Sequence, residues 1–320
     1  MTYRIDFSSI AKAEADAAFL SFSQFTTDER AQLWYQGLLG GFKVCQTSLY
    51  LAKIGQVEVV WSRALPAEPS SVTVLKDAAG RYFVSFVVEI QSSPLPQLDN
   101  GVGIDLGITS FATLSTGEKV DAPKPLKKRI GRLRRLSKNL SRKTRGSKRY
   151  ELARKRKAKL QAKLKDTRTD FLHKLSTKFI RENQAIILED LNVSGMLKNR
   201  KLSRAISDLG WRQFRTFLEG KAKKYGREFR VISRWEPTSQ TCSCCGFRGG
   251  KLDLSIREWI CLNCESTHDR DVNAATNIKV AGGHSETQNG RGGKRQTIAK
   301  IAASCEASTH QEFIQLSLFD

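Results

Sequence analysis

Apolar and polar residues alternate in short runs between Phe42 and Ile90, and turn residues separate these runs. A period of two is typical of half-buried strands, and glycine and proline between the runs favour turns. This pattern predicts a small antiparallel β-unit, which we bound at residues 42–98 because a proline-containing segment follows its last strand. The preceding residues are less informative, and their pattern predicts only a short helix around Ile10–Phe22.

Two later apolar runs contain acidic residues. The run Val102–Ser115 includes Asp105, and a second run starting at Gln184 ends in Glu189 and Asp190. A carboxylate in an apolar strand is costly unless it has a binding partner. A one-sided apolar helix and another strand follow the second run.

Positive charge is concentrated in one segment of the 320-residue chain. The chain carries a net charge of +22, and residues 124–168 contain 21 Lys or Arg against two acids, a net +19. Apolar residues recur in this segment at steps of three, four and eight, which favours a helical face. We predict two basic helices, or a helical hairpin broken near Thr144–Ser147, which bind a phosphate backbone. A solvated basic segment is the alternative.

Four of the seven cysteines have the spacing of a zinc ribbon. Cys242 and Cys245 form one Cys-x2-Cys pair, and Cys261 and Cys264 form the second pair after fifteen residues. Two such pairs supply four thiolates for a tetrahedral structural zinc ion, which leaves no open position for catalysis. The alternatives are buried free thiols or a disulfide pair, and the latter is disfavoured because no secretory signal is visible.

The acids at Asp105 and Glu189, together with Asp271 at the start of a predicted helix, can converge on a shared cation. Each acid also has an ordinary explanation, such as a strand end or a helix cap. Carboxylates and water are the ligands that Mg²⁺ prefers. Beside a strongly basic segment, such a cluster indicates phosphodiester chemistry.

Four motifs in order resemble the TnpB family, which is encoded by insertion sequences and related to type V CRISPR effectors. They are Gly103-Ile-Asp-Leu-Gly, Leu188-Glu-Asp-Leu-Asn, the cysteine pairs, and Asp269-Arg-Asp-Val-Asn-Ala-Ala. The resemblance implies an α/β fold with an RNase H-like (RuvC) core over residues 99–237, which includes the basic helices of 124–168. It places an inserted zinc ribbon over 238–265 and the last part of the core over 266–282. It also implies that the 42–98 unit is part of a wedge domain.

By resemblance, the catalytic residues are Asp105, Glu189 and Asp271, which would hold two Mg²⁺ ions in addition to the structural zinc. Of these two ions, about 4 Å apart, one activates water and the other stabilises the leaving oxygen. The resemblance also implies a guide RNA from the transposon end and a DNA target, with the backbone held by basic residues. The candidate nucleic-acid contacts are Lys127, Lys128, Arg129, Arg132, Arg134, Arg135, Lys138, Arg142, Lys143 and Arg270.

The function expected from this resemblance is RNA-guided DNA cleavage by a transposase-type endonuclease in the prokaryotic cytoplasm, associated with the nucleoid and with no membrane span. Members usually carry a first wedge strand and a helical recognition lobe before the stretch at Phe42, and residues 1–41 do not resemble that lobe. We therefore expect a truncated copy whose guided cleavage is slow or absent. Separately, the Gly- and polar-rich sequence after Ala281 favours a disordered tail over 283–320. The alternatives are a nuclease-inactive RNA-guided repressor and a simple zinc-ribbon DNA-binding protein.

Overall fold

The chain consists of two compact units in a computed structural model that describes residues 2–6, 32–36, 41–52, 54–250, 252–253 and 255–284. The first unit comprises Met1–Gln91 and Arg129–Asp166, and the second comprises Ser92–Lys128 and Thr167–Asp320. The predicted helix around Ile10–Phe22 and residues 285–320 of the predicted disordered tail lie outside the described residues. No helix in the described part of the chain is long and apolar enough to cross a bilayer.

The first unit contains an antiparallel sheet of seven described strands, in the order β2-β6-β7-β1-β5-β4-β3. The strands are β1 (Thr2–Asp6), β2 (Gln32–Gln36), β3 (Phe42–Val44), β4 (Ser48–Leu51), β5 (Gly55–Val60), β6 (Ser71–Lys76) and β7 (Tyr82–Val87). The antiparallel strands predicted from the alternating pattern are therefore confirmed. The sheet also includes β1 and β2 from the first 41 residues, which the sequence pattern did not predict.

Alternate residues of these strands form the core of the first unit. Val57 and Val59 on β5 are buried, whereas the residues between and after them are exposed. The same alternation places Val84 and Phe86 of β7 in the core, where Trp61 stacks on Phe86 at 5.7 Å between ring centroids. One face of the sheet is thus apolar because the period of side chains along a strand is two.

The second unit is built on a five-stranded mixed sheet in the order β10-β9-β8-β11-β12. Its strands are β8 (Gly101–Asp105), β9 (Ala112–Leu114), β10 (Lys119–Val120), β11 (Ala185–Glu189) and β12 (Glu228–Ile232). β8, β11 and β12 are parallel to one another, whereas β9 and β10 run antiparallel as a meander beside β8. The parallel strands β8 and β11 read as continuous apolar runs because both of their faces are covered.

Six helices are described. They are α1 (Pro125–Ser141), α2 (Lys148–Glu182), α3 (Val193–Met196), α4 (Ser203–Leu209), α5 (Trp211–Tyr225) and α6 (Arg270–Ala281). The predicted break in the basic segment is confirmed between α1 and α2, where Gly146 has a φ of 80°. α2 continues well beyond the basic segment because apolar residues such as Leu172, Leu175 and Phe179 keep the helical period and enter the core.

The core of the second unit packs α2 and α5 on the sheet. Phe214 of α5 is fully buried, and its ring meets Phe111 and Phe179 edge-on at 5.1 and 6.1 Å between centroids. A separate two-stranded ribbon, β13 (Glu258–Ile260) and β14 (Thr267–Asp269), precedes α6. Among the described residues between the two cysteine pairs, 258–260 form a strand.

Candidate metal centre

Two of the three predicted acids lie at the same edge of the mixed sheet. Asp105 is the last residue of β8 and Glu189 is the last residue of β11. These strands are parallel neighbours in the register Leu188↔Ile104, so their carboxyl ends meet. Asp271 lies in the first turn of α6, a helix that packs against β8 and β11. The fold therefore places Asp271 near enough to Asp105, and Asp105 near enough to Glu189, for the charge of the one to raise the pKa of the other.

A glycine on β8 allows α6 to approach the sheet closely. A Cβ at Gly103 would lie 2.1 Å from the backbone oxygen of Ala275 and 2.5 Å from the backbone nitrogen of Lys279. Both distances are far below van der Waals contact, so no side chain fits there. Ala274 and Ala275 on α6 are buried and small, which suits the same close contact. This packing sets the distance between the helix with Asp271 and the strand with Asp105.

Two of the candidate acids, Asp105 and Glu189, have raised pKa values. Burial, followed by the charge of Asp271, raises the pKa of Asp105 to about 6. Burial also raises the pKa of Glu189 to about 7, with smaller contributions from the charges of Asp105 and Asp190. Clustered carboxylates with raised pKa values favour a bound cation, and oxygen ligands suit Mg²⁺. The carboxylates therefore have the donor chemistry of a divalent-metal site, but within the described residues it is the four cysteines, and not the three acids, whose ligand atoms all lie within 4.8 Å of one another.

The neighbouring acids in the same motifs have other roles. Asp190 accepts hydrogen bonds from Arg215 at 2.7 Å and from the guanidinium of Arg234, and both arginines lower its pKa. Asp269 is the N-cap of α6, accepts from the backbone N–H groups of Asp271 and Val272, and pairs with Lys119 at 2.6 Å. These contacts distinguish the two satisfied acids from the three candidates.

Two arginines lie beside the acids. A guanidinium nitrogen of Arg257 is 3.5 Å from a carboxylate oxygen of Asp271. Arg270, a predicted nucleic-acid contact, donates to the backbone oxygen of Asp253 at 2.7 Å, and its charge lowers the pKa of Asp105. The guanidinium of Arg270 therefore lies near Asp105 and already donates one hydrogen bond to the backbone at Asp253.

The four predicted cysteines form one cluster, whose sulfur atoms all lie within 4.8 Å of one another. Cys242 and Cys264 are 3.7 Å apart and Cys245 and Cys261 are 3.6 Å apart, measured between Sγ atoms. A tetrahedral zinc ion with bonds of about 2.3 Å would separate its sulfur ligands by about 3.8 Å. Gly246 follows the first pair with a φ of 74°, as a tight knuckle requires. The cluster therefore fits zinc.

Nine of the ten predicted basic contacts lie on α1 and in the turn after it, and the tenth, Arg270, is the first residue of α6. Most of these side chains are exposed, whereas Ile130, Leu133, Leu136 and Leu140 form the less exposed face of the same segment. The helix starts at a fixed point, because the buried carboxylate of Asp208 accepts from the backbone N–H groups of Leu126 and Lys127, both at 3.0 Å. This face is suited to a polyanion.

Sequence reasoning missed four residues of this region. Gly103 and Asn273 were quoted within motifs but given no role, although a glycine in a buried strand is a signal of close backbone approach. Arg257 was not singled out because its contact with Asp271 depends on the ribbon fold. Trp235 follows β12 and is 86% exposed, which no sequence pattern indicates.

Comparisons with known proteins match most of the described chain. Residues 85–200 match the OrfB/IS605 family, described as "Probable transposase", and residues 211–278 match the Cas12f1-like TNB domain. A Streptomyces pristinaespiralis protein named as an RNA-guided DNA endonuclease is 51% identical over 237 residues, which are 73% of this chain and 59% of that protein. Escherichia coli InsQ, with the same description, is 30% identical over 250 residues, or 73% and 62%.

A solved Cas12f1–sgRNA–target DNA complex is similar at 16% identity, with a TM-score of 0.49 over 78% of this chain and 59% of that one. The chain thus spans about three fifths of the curated relatives described above. The two family matches lie in chain order and include all three candidate acids and all four cysteines. The chain therefore contains a region of the OrfB/IS605 transposase family followed by a Cas12f1-like TNB domain, in agreement with the TnpB family that its motifs resemble.

Proposed function

We propose that the chain is an RNA-guided DNA endonuclease with an RNase H-like (RuvC) core. The observation that supports this proposal is the position of Asp105 and Glu189 at the ends of adjacent parallel strands, with raised pKa values, and of Asp271 in the first turn of the helix packed on those strands. The sheet supports it as well, because a three-strand antiparallel meander continues into two parallel strands. Relatives named as RNA-guided DNA endonucleases support the same reading.

The three acids would hold Mg²⁺ in this proposal, and the ion would supply Lewis-acid activation of water and of the scissile phosphate. The protein contributes the geometry: β8 and β11 fix two carboxylates, and the close contact at Gly103 fixes the third. Asp190 forms ion pairs with Arg215 and Arg234 next to Glu189, so this group of three side chains carries one net positive charge. Their net positive charge would favour the approach of a phosphate.

The cysteine cluster would hold a structural zinc ion, and the basic face of α1 would bind the backbone of the guide–target duplex. Sequence recognition would then depend on base pairing between guide and target. We further propose that the guide is transcribed from the transposon end and that the target is chromosomal DNA of a prokaryotic cell. The seven-stranded sheet of the first unit is our candidate for the wedge domain.

The test is to express the chain with its flanking genomic sequence, sequence the RNA that copurifies, and offer plasmids with and without a matching target in Mg²⁺. Linearisation of the matching plasmid alone is the expected result. Cleavage that ignores the guide would contradict the proposal. Guide-dependent binding without cleavage would favour a nuclease-inactive repressor instead.

A further inference from the structure

One side chain of α6 is hydrogen-bonded to the backbone on both sides of Cys242. The Oδ1 atom of Asn273 accepts from the N–H of Ser243 at 2.8 Å, and its Nδ2 atom donates to the carbonyl of Thr241 at 2.8 Å. Asn273 is only 2% exposed, so these bonds form away from solvent. Asn277, one turn later, donates to the same carbonyl at 2.7 Å. The backbone around a cysteine of the cluster is thereby attached to the helix.

The same helix begins with a candidate Mg²⁺ ligand. Asp271 lies two residues before Asn273, in the first turn of α6. The ribbon also contacts this turn directly, because a guanidinium nitrogen of Arg257, just before β13, lies 3.5 Å from the carboxylate of Asp271. On β14, the Nε2 atom of His268 lies 3.0 Å from Cys242 Sγ. On its opposite side the helix is pressed against Gly103. A shift of Cys242 relative to the sheet would therefore be transmitted to Asp271.

We propose that Asn273 is a positioning residue that couples the cysteine site to the acid site, so that zinc and Mg²⁺ bind cooperatively. This inference rests on the proposed function, since it takes Asp271 as a Mg²⁺ ligand. An ion bound by the four thiolates would hold Cys242 in position. The hydrogen bonds of the Asn273 carboxamide to residues 241 and 243 then hold α6 in place relative to Cys242, and Asp271 is part of α6. Coupling between two binding sites is reciprocal, so each ion strengthens the binding of the other by the same factor.

The carboxamide is suited to this role because it is both a donor and an acceptor. Aspartate at position 273 could still accept from Ser243 but could not donate to Thr241, and its charge would face that carbonyl. Asn273→Asp therefore breaks the link on one side while keeping the shape of the side chain. Thr276→Val is the matched control, since the Thr276 hydroxyl donates to the backbone carbonyl of Val272, one turn earlier in its own helix.

The experiment measures the Mg²⁺ midpoint of thermal stabilisation, and of DNA cleavage, for zinc-loaded and zinc-stripped protein. In the wild-type chain, zinc removal is expected to raise the Mg²⁺ midpoint about tenfold, within the usual range of coupling. Zinc-loaded Asn273→Asp should still hold about one zinc per chain, with an unchanged KM for DNA and a Mg²⁺ midpoint raised about tenfold. Zinc removal should then have little further effect. Thr276→Val should behave as wild type.

Two results would overturn the inference: a wild-type Mg²⁺ midpoint in zinc-loaded Asn273→Asp, or an equal effect of zinc removal in variant and wild type. If Asn273→Asp does not fold, Asn277→Ala replaces it, and a partial loss of coupling is then required. Asp271→Asn separates this inference from the proposed function. If that variant keeps the wild-type Mg²⁺ midpoint, Asp271 is not a ligand and the proposed function fails, whatever Asn273 does.

Discussion

Adjacent acids in the candidate site differ in how their charge is compensated. Asp190 is bound by two arginines, and its pKa is lowered by them. Glu189, the preceding residue, and Asp105 on the next strand are half-buried near other carboxylates, and partial burial is the main cause of their raised pKa values. The motif Leu188-Glu-Asp-Leu shows two acids without distinguishing them, because the arginines come from residues 215 and 234. The structure is therefore needed to distinguish Asp190, whose charge is compensated by arginines, from Glu189, the candidate metal ligand.

Replacing Asp105 with Asn is expected to stabilise the chain at pH 8 when divalent ions are absent. The folded-state pKa of about 6 lies above the ordinary value of 3.8. The stability that this carboxyl contributes is therefore fully present below its unfolded-state pKa and is lost as pH rises through 6. The loss is on the order of 3 kcal/mol. Urea unfolding at pH 5 and pH 8 should show a stabilisation that grows with pH.

The matched control for this pH effect is Asp190→Asn. The pKa of Asp190 is lowered by its hydrogen bonds from Arg234 and Arg215, so its contribution is present above its unfolded-state pKa and is lost as pH falls. Asp190→Asn should therefore destabilise the chain at pH 8. Equal effects of the two substitutions at both pH values would contradict this account of the site.

Elements with a repeated apolar period were predictable from the sequence, and those that depend on distant partners were not. The alternation in β4 to β7 indicated strands directly, and Gly146 indicated the break between α1 and α2. In contrast, β1 pairs with β5 and β7, which lie some 50 to 80 residues later. Such pairing leaves no local signal, so residues 2–6 could not be assigned from their own pattern.

Gly103→Ala is expected to destabilise the contact between β8 and α6. The added Cβ would meet backbone atoms of Ala275 and Lys279, which cannot rotate away, so the helix must move. Overpacking of this kind costs about 1–3 kcal/mol or more. Thermal unfolding should show the loss, together with a weaker response to Mg²⁺ as Asp271 shifts. Gly131→Ala on α1, where a Cβ meets nothing within 4 Å, should be neutral or slightly stabilising.

The cysteine cluster is expected to hold about one zinc ion per chain. Cys261→Ser should lose the ion and unfold the ribbon, because metal binding supplies folding free energy in such sites. Metal analysis of purified protein measures the stoichiometry, and chelation should lower the melting temperature of the wild-type chain. Cys45→Ser is the control, since Cys45 lies outside the cluster and should leave the zinc content unchanged. Purified protein without zinc would refute the assignment.

The basic face of α1 is expected to determine the salt dependence of DNA binding. Each phosphate contact contributes about 0.9 to the slope of log K against log salt for duplex DNA. Alanine at Arg132, Arg134, Arg135 and Lys138 should therefore reduce that slope by about 3 to 4. Fluorescence polarisation over a range of salt concentrations measures it. As a control, exchanging lysine and arginine at the same four positions keeps the charge and should leave the slope unchanged. An unchanged slope in the alanine variant would show that these four side chains do not contact the DNA phosphates.

In the whole molecule, most of the net positive charge and the proposed catalytic acids lie in different parts of the sequence. Residues 124–168 carry a net +19 of the total +22, whereas the acids of the candidate site come from three distant positions in chain order. The charge and the cysteine spacing could be read from the sequence alone. The proposed grouping of the three acids depends on sheet order and helix packing, and its prediction came from the motif resemblance.

The most direct measurement of the central claim is the Mg²⁺-dependent cleavage rate of matched target DNA by guide-loaded wild-type chain and single variants. Asp105→Asn, Glu189→Gln and Asp271→Asn should each reduce the rate to background, because each removes a proposed ligand of the cation. Asp190→Asn, beside Glu189 but already paired with arginines, should retain measurable cleavage. Cleavage at the wild-type rate by any one of the three ligand variants would contradict the account.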